Sequence, residues 1–186
     1  ARNRGWDYCR EPLVAFLDAD DLWHPDKIAI QHEYMAAFPD LVLSGHDAAY
    51  VDKLPDVRTS DVHTATGAGD GSLAAATGSP AMTGSSEQTI PPPGCTSLTL
   101  PDLLAGNPFV TPSVMLRRTV ERRFNPAFRY CEDYLLWLEI CLDGGKMAHI
   151  HLPLVDVLRP VQHRGLSQNE FRMRWGFAGV YLYLWQ

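Results

Sequence analysis

The chain has 186 residues, of which 46% are hydrophobic and 20% are charged, a balance typical of a globular domain with its own core. Its net charge of −6 argues against a nucleic-acid-binding protein, because such proteins hold phosphates with an excess of Lys and Arg. The four cysteines have neither a CxxC nor a zinc spacing, and no stretch reaches the roughly 18 apolar residues of a membrane span, so a cytoplasmic protein with reduced thiols is expected.

Three carboxylates follow the first apolar segment of the chain. The run at 13–17 is short and comes directly after Pro12, which predicts a buried strand. Asp18, Asp20 and Asp21 then lie at its exit. Since alternate side chains of a strand point the same way, we expect Asp18 and Asp20 on one side of the chain, roughly 6–7 Å apart.

This acidic cluster predicts a cation site. Like charges held so close raise the pKa of a carboxyl group unless a cation lies between them, and carboxylate oxygens suit Mg2+ or Mn2+. Open α/β sheets bind ligands at the carboxyl ends of their strands, so the ion would hold a phosphorylated ligand. The same cluster is also typical of a solvated turn, or of a helix cap formed by Asp20 or Asp21.

Short elements flank the cluster. Residues 1–11 are expected to form the end of a helix and a loop. Pro25 suits the first turn of a helix that Pro39 ends. Residues 41–43 and 48–51 are predicted as two short strands.

A low-complexity insertion is predicted at about 57–97. Residues 64–94 are dominated by Gly, Ala, Ser, Thr and Pro, and no aromatic residue occurs between Tyr50 and Phe109. Such a composition buries too little apolar surface to offset the entropy lost on ordering. We expect a flexible surface loop here, or alternatively a mobile flap over the site.

Helices and strands alternate in the second half of the chain. The predicted elements are a helix from Thr99, a strand at 113–116, a buried helix at 132–142, strands at 147–151 and 154–158, and a helix at about 168–185. Capping boxes at Thr99 and Ser167 mark two helix starts, and Gly144 marks a helix end. The alternation predicts an α/β fold with a mostly parallel sheet flanked by helices.

The last of these helices carries an aromatic and apolar run at 175–185. A core helix accounts for such a run. The alternative is a contact with a membrane surface, a partner or another part of the same protein. Contact with a membrane surface would make the protein peripheral at the cytoplasmic face of a membrane.

A second acidic site, Glu132-Asp133, opens the buried helix. Helix N-termini have free N–H groups and a positive dipole end, so these carboxylates are also ordinary helix-start residues. Together with the cluster at 18–21, however, they supply what a metal-assisted group transfer requires. One acidic site neutralises the leaving group, and the other removes a proton from the attacking group.

Several segments occur in an order that is specific to one family. They are residues 1–5, 16–27 with Gln31, 107–109, 113–115, 132–138 and 153–155, followed by Arg159, His163 and Ser167. Together they resemble family 2 glycosyltransferases with the GT-A fold, over residues 1–56 and 97–169. The insertion has no counterpart in the family.

The resemblance implies a reaction and its components. A sugar would pass from a nucleotide-diphosphate sugar, expected to be a UDP-sugar, to a hydroxyl of a glycan or lipid-linked acceptor, with inversion and with Mn2+ or Mg2+. The family normally begins with a strand, a helix and a second strand that bind the nucleobase. We therefore expect residues 1–186 to be a single partial catalytic domain, truncated at its N-terminus, which would weaken donor binding and activity.

The resemblance also implies roles for acidic residues. Asp20 would be the principal metal ligand, and Asp18 would help to hold the metal, through a water on it, or the ribose of the nucleotide. Asp133 would be the general base that deprotonates the acceptor, and Glu132 would support it or contact the acceptor. His163 would bind the metal or the diphosphate, unless it is an ordinary histidine of a surface loop.

Three further residues are expected near the donor. Arg2 and Asn3 match a segment that lies close to it in the family, and Arg159 would neutralise phosphate charge. The implied donor site therefore combines cationic side chains with the acidic cluster.

Two other functions stay open. The spacing of Asp18 and Asp20 is similar to that in phosphatases of the haloacid-dehalogenase type, in which the first Asp is the nucleophile and the second an acid/base. Leu22 and Trp23 depart from the motif of those phosphatases. The remaining alternative is a degenerate domain that binds a sugar nucleotide without turnover.

Overall fold

The computed structural model describes residues 1–53, 94–159 and 170–185. The elements, in chain order, are α1 (Arg2–Tyr8), β1 (Leu13–Ala15), β2 (Leu22–Trp23), α2 (Lys27–Ala37), β3 (Leu41–Val51), β4 (Cys95–Leu98), α3 (Leu100–Ala105), a 3-10 turn (Thr111–Ser113), β5 (Met115–Arg117), α4 (Glu132–Leu142), β6 (Lys146–Leu158) and α5 (Glu170–Leu184).

The strands form one mixed sheet. In the described residues the sheet has six strands, of which five have the order β1-β5-β3-β6-β2, and β4 also pairs with β6. β3 and β6 are parallel, whereas the pairs β1–β5, β3–β5, β2–β6 and β4–β6 are antiparallel. The predicted α/β class is confirmed, but the sheet is mixed where a mostly parallel sheet was expected.

Strand direction follows from which strands become neighbours. β1 and β3 both run opposite to β5, and β3 is parallel to β6, so β1, β3 and β6 share one direction. The alternation of helices and strands anticipates these three, because a helix carries the chain back between parallel strands. The short strands β2, β4 and β5 insert beside them in the opposite direction, which alternation alone does not reveal.

Two pairs of predicted strands are single long strands. β3 covers both 41–43 and 48–51, and β6 covers both 147–151 and 154–158. Pro153 lies inside β6 and is opposite Asp47 of β3, and the register between the two strands shifts on both sides of this pair. An irregularity of this kind accommodates a proline, because its nitrogen needs no ladder hydrogen bond there.

The predicted insertion overlaps an ordered strand. Residues 95–97 were placed inside it, but they belong to β4, which pairs with β6 from Cys95 to Leu98. Backbone hydrogen bonds to β6 order this segment despite its low apolar content. The rest of the insertion, 57–93, lies outside the described residues, as do Ser167 and the first two residues of the predicted last helix.

The core centres on α4. Residues 134–140 are all buried, as predicted for a helix that is apolar on nearly every side. All of them except Glu139 pack in one cluster with Leu43, Leu116 and Met147 of the sheet. The helix ends before Gly144, whose φ of 83° lies in the left-handed region that glycine adopts without strain.

α5 buries one side and exposes aromatic side chains on the other. Val180 is buried in the core cluster and Phe177 packs against it, whereas Trp175 and Trp185 are 65% and 91% exposed. The predicted core helix is therefore only partly a core element, and a contact with a membrane or a partner stays a prediction. In the described parts of the chain, no helix is both long enough and apolar enough to cross a membrane.

Candidate active site

The loop after β1 carries the acidic cluster. β1 ends at Ala15, because its partner strand β5 begins at Met115, which is opposite Ala15. Asp18 and Asp20 therefore lie beyond the strand, and the prediction that they share one side of a strand is wrong. Asp20 lies in a turn, in which the Asp21 N–H donates to the Asp18 carbonyl oxygen at 3.2 Å.

Asp21 ties this loop to the sheet and does not cap α2. The N-cap position of α2 is occupied by Asp26. Asp21 instead accepts a hydrogen bond from the Leu158 N–H, at the end of β6, at 3.2 Å. Burial raises the pKa of Asp21 above its ordinary value; the Leu158 bond opposes this rise, and the neighbouring carboxylates add to it.

Arg2 joins the two acidic sites. Its Nη2 donates to both carboxylate oxygens of Asp18, at 2.8 and 3.0 Å, and its Nη1 donates to Oε1 of Glu132 at 2.8 Å. The three side chains are 30%, 38% and 27% exposed, respectively. The fold therefore brings the loop after β1 and the start of α4 to the two ends of one guanidinium group.

Asp133 is held at the first turn of α4. Its Oδ1 accepts a hydrogen bond from the Tyr134 N–H at 2.7 Å, and its Oδ2 accepts one from the Thr111 hydroxyl at 3.1 Å. Burial raises the pKa of this carboxyl group and the charge of Glu132 adds to the rise, while the two hydrogen bonds and the charge of Arg2 lower it. The net rise makes Asp133 a stronger base than an ordinary aspartate.

A pocket of about 770 Å³ opens beside the Arg2 bridge. Its lining includes Arg2, Asp18 and Glu132, together with apolar side chains such as Phe16 and Phe124. Small-molecule sites have this range of volume and combine apolar walls with a few convergent polar groups. The pocket is therefore the candidate active site, with Asp18 and Glu132 in its lining, whereas Asp20 and Asp133 do not belong to the lining.

Comparison with known families identifies the chain. The family model described as glycosyl transferase family 2 matches residues 1–95, just over half of the 186 residues. The chain belongs to glycosyl transferase family 2. No curated protein matches it. The resemblance seen in the sequence is thus confirmed, and family membership implies a nucleotide-sugar donor and an acceptor, typically with a divalent metal.

Family membership favours a glycosyltransferase over a phosphatase of the haloacid-dehalogenase type. In the phosphatase, Asp18 would be the nucleophile. Both of its oxygens accept hydrogen bonds from Arg2, and this ion pair makes the Asp18 carboxylate a weaker nucleophile.

The acidic loop of this glycosyltransferase offers the ligand atoms that Mg2+ and Mn2+ prefer. Asp20 is exposed at the turn, so its oxygens are accessible to an ion, and hard oxygen ligands suit both metals. Asp18 is already paired with Arg2, which favours an indirect role for it. His163, the other predicted metal ligand, lies outside the described residues.

Two residues predicted near the donor have partners within the protein. The Asn3 amide donates to the Phe124 carbonyl oxygen at 2.7 Å and accepts from the Phe124 N–H at 3.0 Å, so it secures α1. The Arg159 guanidinium lies 4.0 Å from the centre of the Tyr50 ring. Its charge also opposes the rise in the pKa of Asp21 that burial causes, which places Arg159 in the electrostatic field of the acidic loop.

A buried polar network next to the loop was not predicted. Lys27 Nζ donates to Gln31 Oε1 at 2.6 Å and lies 4.2 Å from the centre of the Trp23 ring. Gln31 in turn donates to the carbonyl oxygens of Ser44 and Ser113, at 3.1 and 3.0 Å. Burial lowers the pKa of Lys27 to about 7. The four-residue spacing of Lys27 and Gln31, which places them on one helix face, is the sequence signal that could have indicated this contact.

Proposed function

We propose that this glycosyltransferase moves the sugar of a nucleotide-diphosphate sugar to an acceptor hydroxyl, in a metal-dependent reaction that inverts the anomeric carbon. The observation that supports this best is the bridge from Asp18 through Arg2 to Glu132 at the pocket. It joins acidic groups suited to the diphosphate end of the donor to acidic groups suited to the acceptor.

The acidic loop would bind the diphosphate end of the donor. A Mn2+ or Mg2+ ion bound there supplies positive charge that offsets the charge of the leaving diphosphate. Asp20 has the accessible oxygens for direct coordination, and Asp18 would hold the ribose. Arg2 is a cation next to both acidic sites, so it would also neutralise phosphate oxygens.

Asp133 would act as the general base. Its carboxylate takes the proton of the acceptor hydroxyl while the acceptor oxygen bonds to the anomeric carbon. The bond from that carbon to the diphosphate oxygen breaks at the same time, and the electron pair leaves with the diphosphate. The hydrogen bonds from Thr111 and from the Tyr134 N–H fix the orientation of the base, and Glu132 would contact the acceptor.

The variant Asp133→Asn tests this assignment. The amide has the same shape, and its oxygen can still accept the bond from the Thr111 hydroxyl. We expect turnover to fall by about 10²–10⁴-fold, while Mn2+-dependent binding of UDP, measured by calorimetry, stays unchanged. Asp40→Asn is the matched control, because Asp40 is an exposed aspartate that pairs with Lys146 at 3.1 Å; it should keep full turnover.

Turnover is measured as release of UDP from a panel of UDP-sugars with Mn2+, with and without added acceptor sugars. Turnover of Asp133→Asn close to that of the wild type would refute the role of Asp133 as base. Metal-dependent binding of UDP by the wild type without any release would instead support a non-catalytic domain. Steady release of nitrophenol from p-nitrophenyl phosphate would support the phosphatase.

A further inference from the structure

We propose a second metal site, formed on the sheet by Asp47, His149 and His151, for a divalent ion that prefers imidazole ligands, such as Zn2+. One nitrogen of each histidine and one carboxylate oxygen of Asp47 lie within 4.8 Å of one another. The site shares no residue with the acidic loop or with the start of α4. Its residues are therefore distinct from those proposed for the transfer reaction.

The register of three strands brings these groups together. His149 and His151 are two residues apart in β6, so their side chains point to the same side of the strand. On one side of β6, His149 is opposite Gly45 of β3. Asp47 lies two residues after Gly45 in the same strand. On the other side, His149 is opposite Thr96 of β4.

Neighbouring side chains hold both imidazoles in place. Oγ1 of Thr96 lies 2.7 Å from Nε2 of His151, and this contact fixes the orientation of the ring. The Phe109 ring packs edge-on against His149, with ring centres 5.6 Å apart. Phe109 also fills the space left by Gly45, where a Cβ would overlap its ring. These contacts fix the orientation of both rings before any ion binds.

His149 and Asp47 have the spacing of two ligands of one ion. Nε2 of His149 lies 2.9 Å from Oδ1 of Asp47, yet this nitrogen is shielded from solvent and has no hydrogen bond of acceptable geometry. Since metal–ligand bonds are about 2.0–2.2 Å long, adjacent ligand atoms of one ion lie roughly 3 Å apart. An ion bound to both atoms would satisfy this nitrogen.

The ligand set selects the class of ion. Two imidazoles and one carboxylate suit Zn2+ and other first-row divalent ions, whereas Mg2+ prefers oxygen ligands. Three protein ligands leave a fourth position for water. His151 is exposed and the Asp47 side chain is 43% exposed, so an ion can enter from solvent.

Titration calorimetry of the full chain with Zn2+, after removal of metals by a chelator, tests the proposal. We expect one Zn2+ per chain. His151→Ala should weaken the binding by at least about 100-fold, and Thr96→Val by about 10-fold or more, because Thr96 only orients a ligand. His32→Ala is the matched control, since His32 is an exposed histidine on α2; it should bind Zn2+ like the wild type.

Two further variants separate this site from the acidic loop. Asp20→Asn should keep Zn2+ binding, and His151→Ala should keep the Mn2+-dependent binding of UDP. Asp47→Asn preserves the shape of the side chain and should lose Zn2+ binding. This variant keeps the test valid if His151→Ala folds poorly. Equal Zn2+ affinity in the wild type, His151→Ala and Asp47→Asn would overturn the proposal, as would the absence of Zn2+ binding by the wild type.

Discussion

Replacing Lys27 by Met tests whether the fold keeps an uncharged lysine in its interior. The side chain is completely buried, and burial lowers its pKa from 10.5 to about 7. Between these two values the unfolded chain binds a proton at Lys27 that the folded chain does not bind. The free energy of unfolding of the wild type therefore rises with pH in this window, and the cost of burying the ammonium group is fully present below it.

The size of the effect follows from the two pKa values. Where the unfolded chain binds one proton more than the folded chain, the free energy of unfolding rises by about 1.4 kcal/mol per pH unit. From about pH 7 to about pH 9, the wild type should gain about 2 kcal/mol relative to Lys27→Met, because the folded form loses its proton early in this interval. His46, whose pKa the charge of Lys27 helps to lower, stays uncharged in the folded protein between pH 7 and pH 9 because its pKa is about 4. The contributions of the other groups therefore cancel in the comparison over this interval.

Urea denaturation followed by tryptophan fluorescence at the two pH values measures this difference. Trp6 and Trp137 are buried, so their emission should change on unfolding. Lys146→Met is the matched control, because Lys146 is 61% exposed and its replacement should leave the pH dependence of the wild type unchanged. If the free energies of the wild type and of Lys27→Met change in parallel with pH, Lys27 is charged in the folded protein and the reasoning fails.

Three other changes have defined outcomes. In Gly45→Ala the new Cβ overlaps the Phe109 ring, so urea denaturation should show a loss of about 1–3 kcal/mol; an unchanged midpoint would mean that the ring moves aside at no cost. Tyr134→Phe removes the hydroxyl that donates to the Leu103 carbonyl oxygen at 2.6 Å, and a loss of about 1–2 kcal/mol is expected in the same assay; equal stability would show that this bond contributes nothing net. Because burial raises the pKa of Asp133, kcat/KM for UDP release should decline as pH falls through a pKa higher than that of an exposed aspartate. Asp133→Asn should lack this decline, and a decline that persists in the variant would assign it to another group.

The elements that were predicted correctly are those specified by neighbours in sequence. The helix predicted at 132–142 is α4, with the same bounds, because its residues are apolar on nearly every side and a glycine follows. The capping box at the start of α3 is also confirmed, since the Thr99 N–H donates to Asp102 at 2.8 Å. Both signals act within one or two helical turns, a range over which sequence and conformation are directly linked.

The candidate site depends on contacts that no local pattern encodes. Arg2 reaches Asp18 across 16 residues and Glu132 across 130. The composition of the segment around Arg2 showed a polar start, and only the resemblance to the family placed it near the donor. Thr111, which orients Asp133, lies in a 3-10 turn that no periodic pattern indicated.

The amino-acid sequence alone determined the family, the α/β class, the buried helix and the two acidic sites, because these follow from residue types and their spacing along the chain. Tertiary structure decided that β1 ends at Ala15, that Arg2 bridges the acidic sites, and that Asp47 meets His149. The physical reason is strand pairing: the neighbours and register of a strand are chosen by the whole core, and a change of register by one residue turns every side chain to the opposite face.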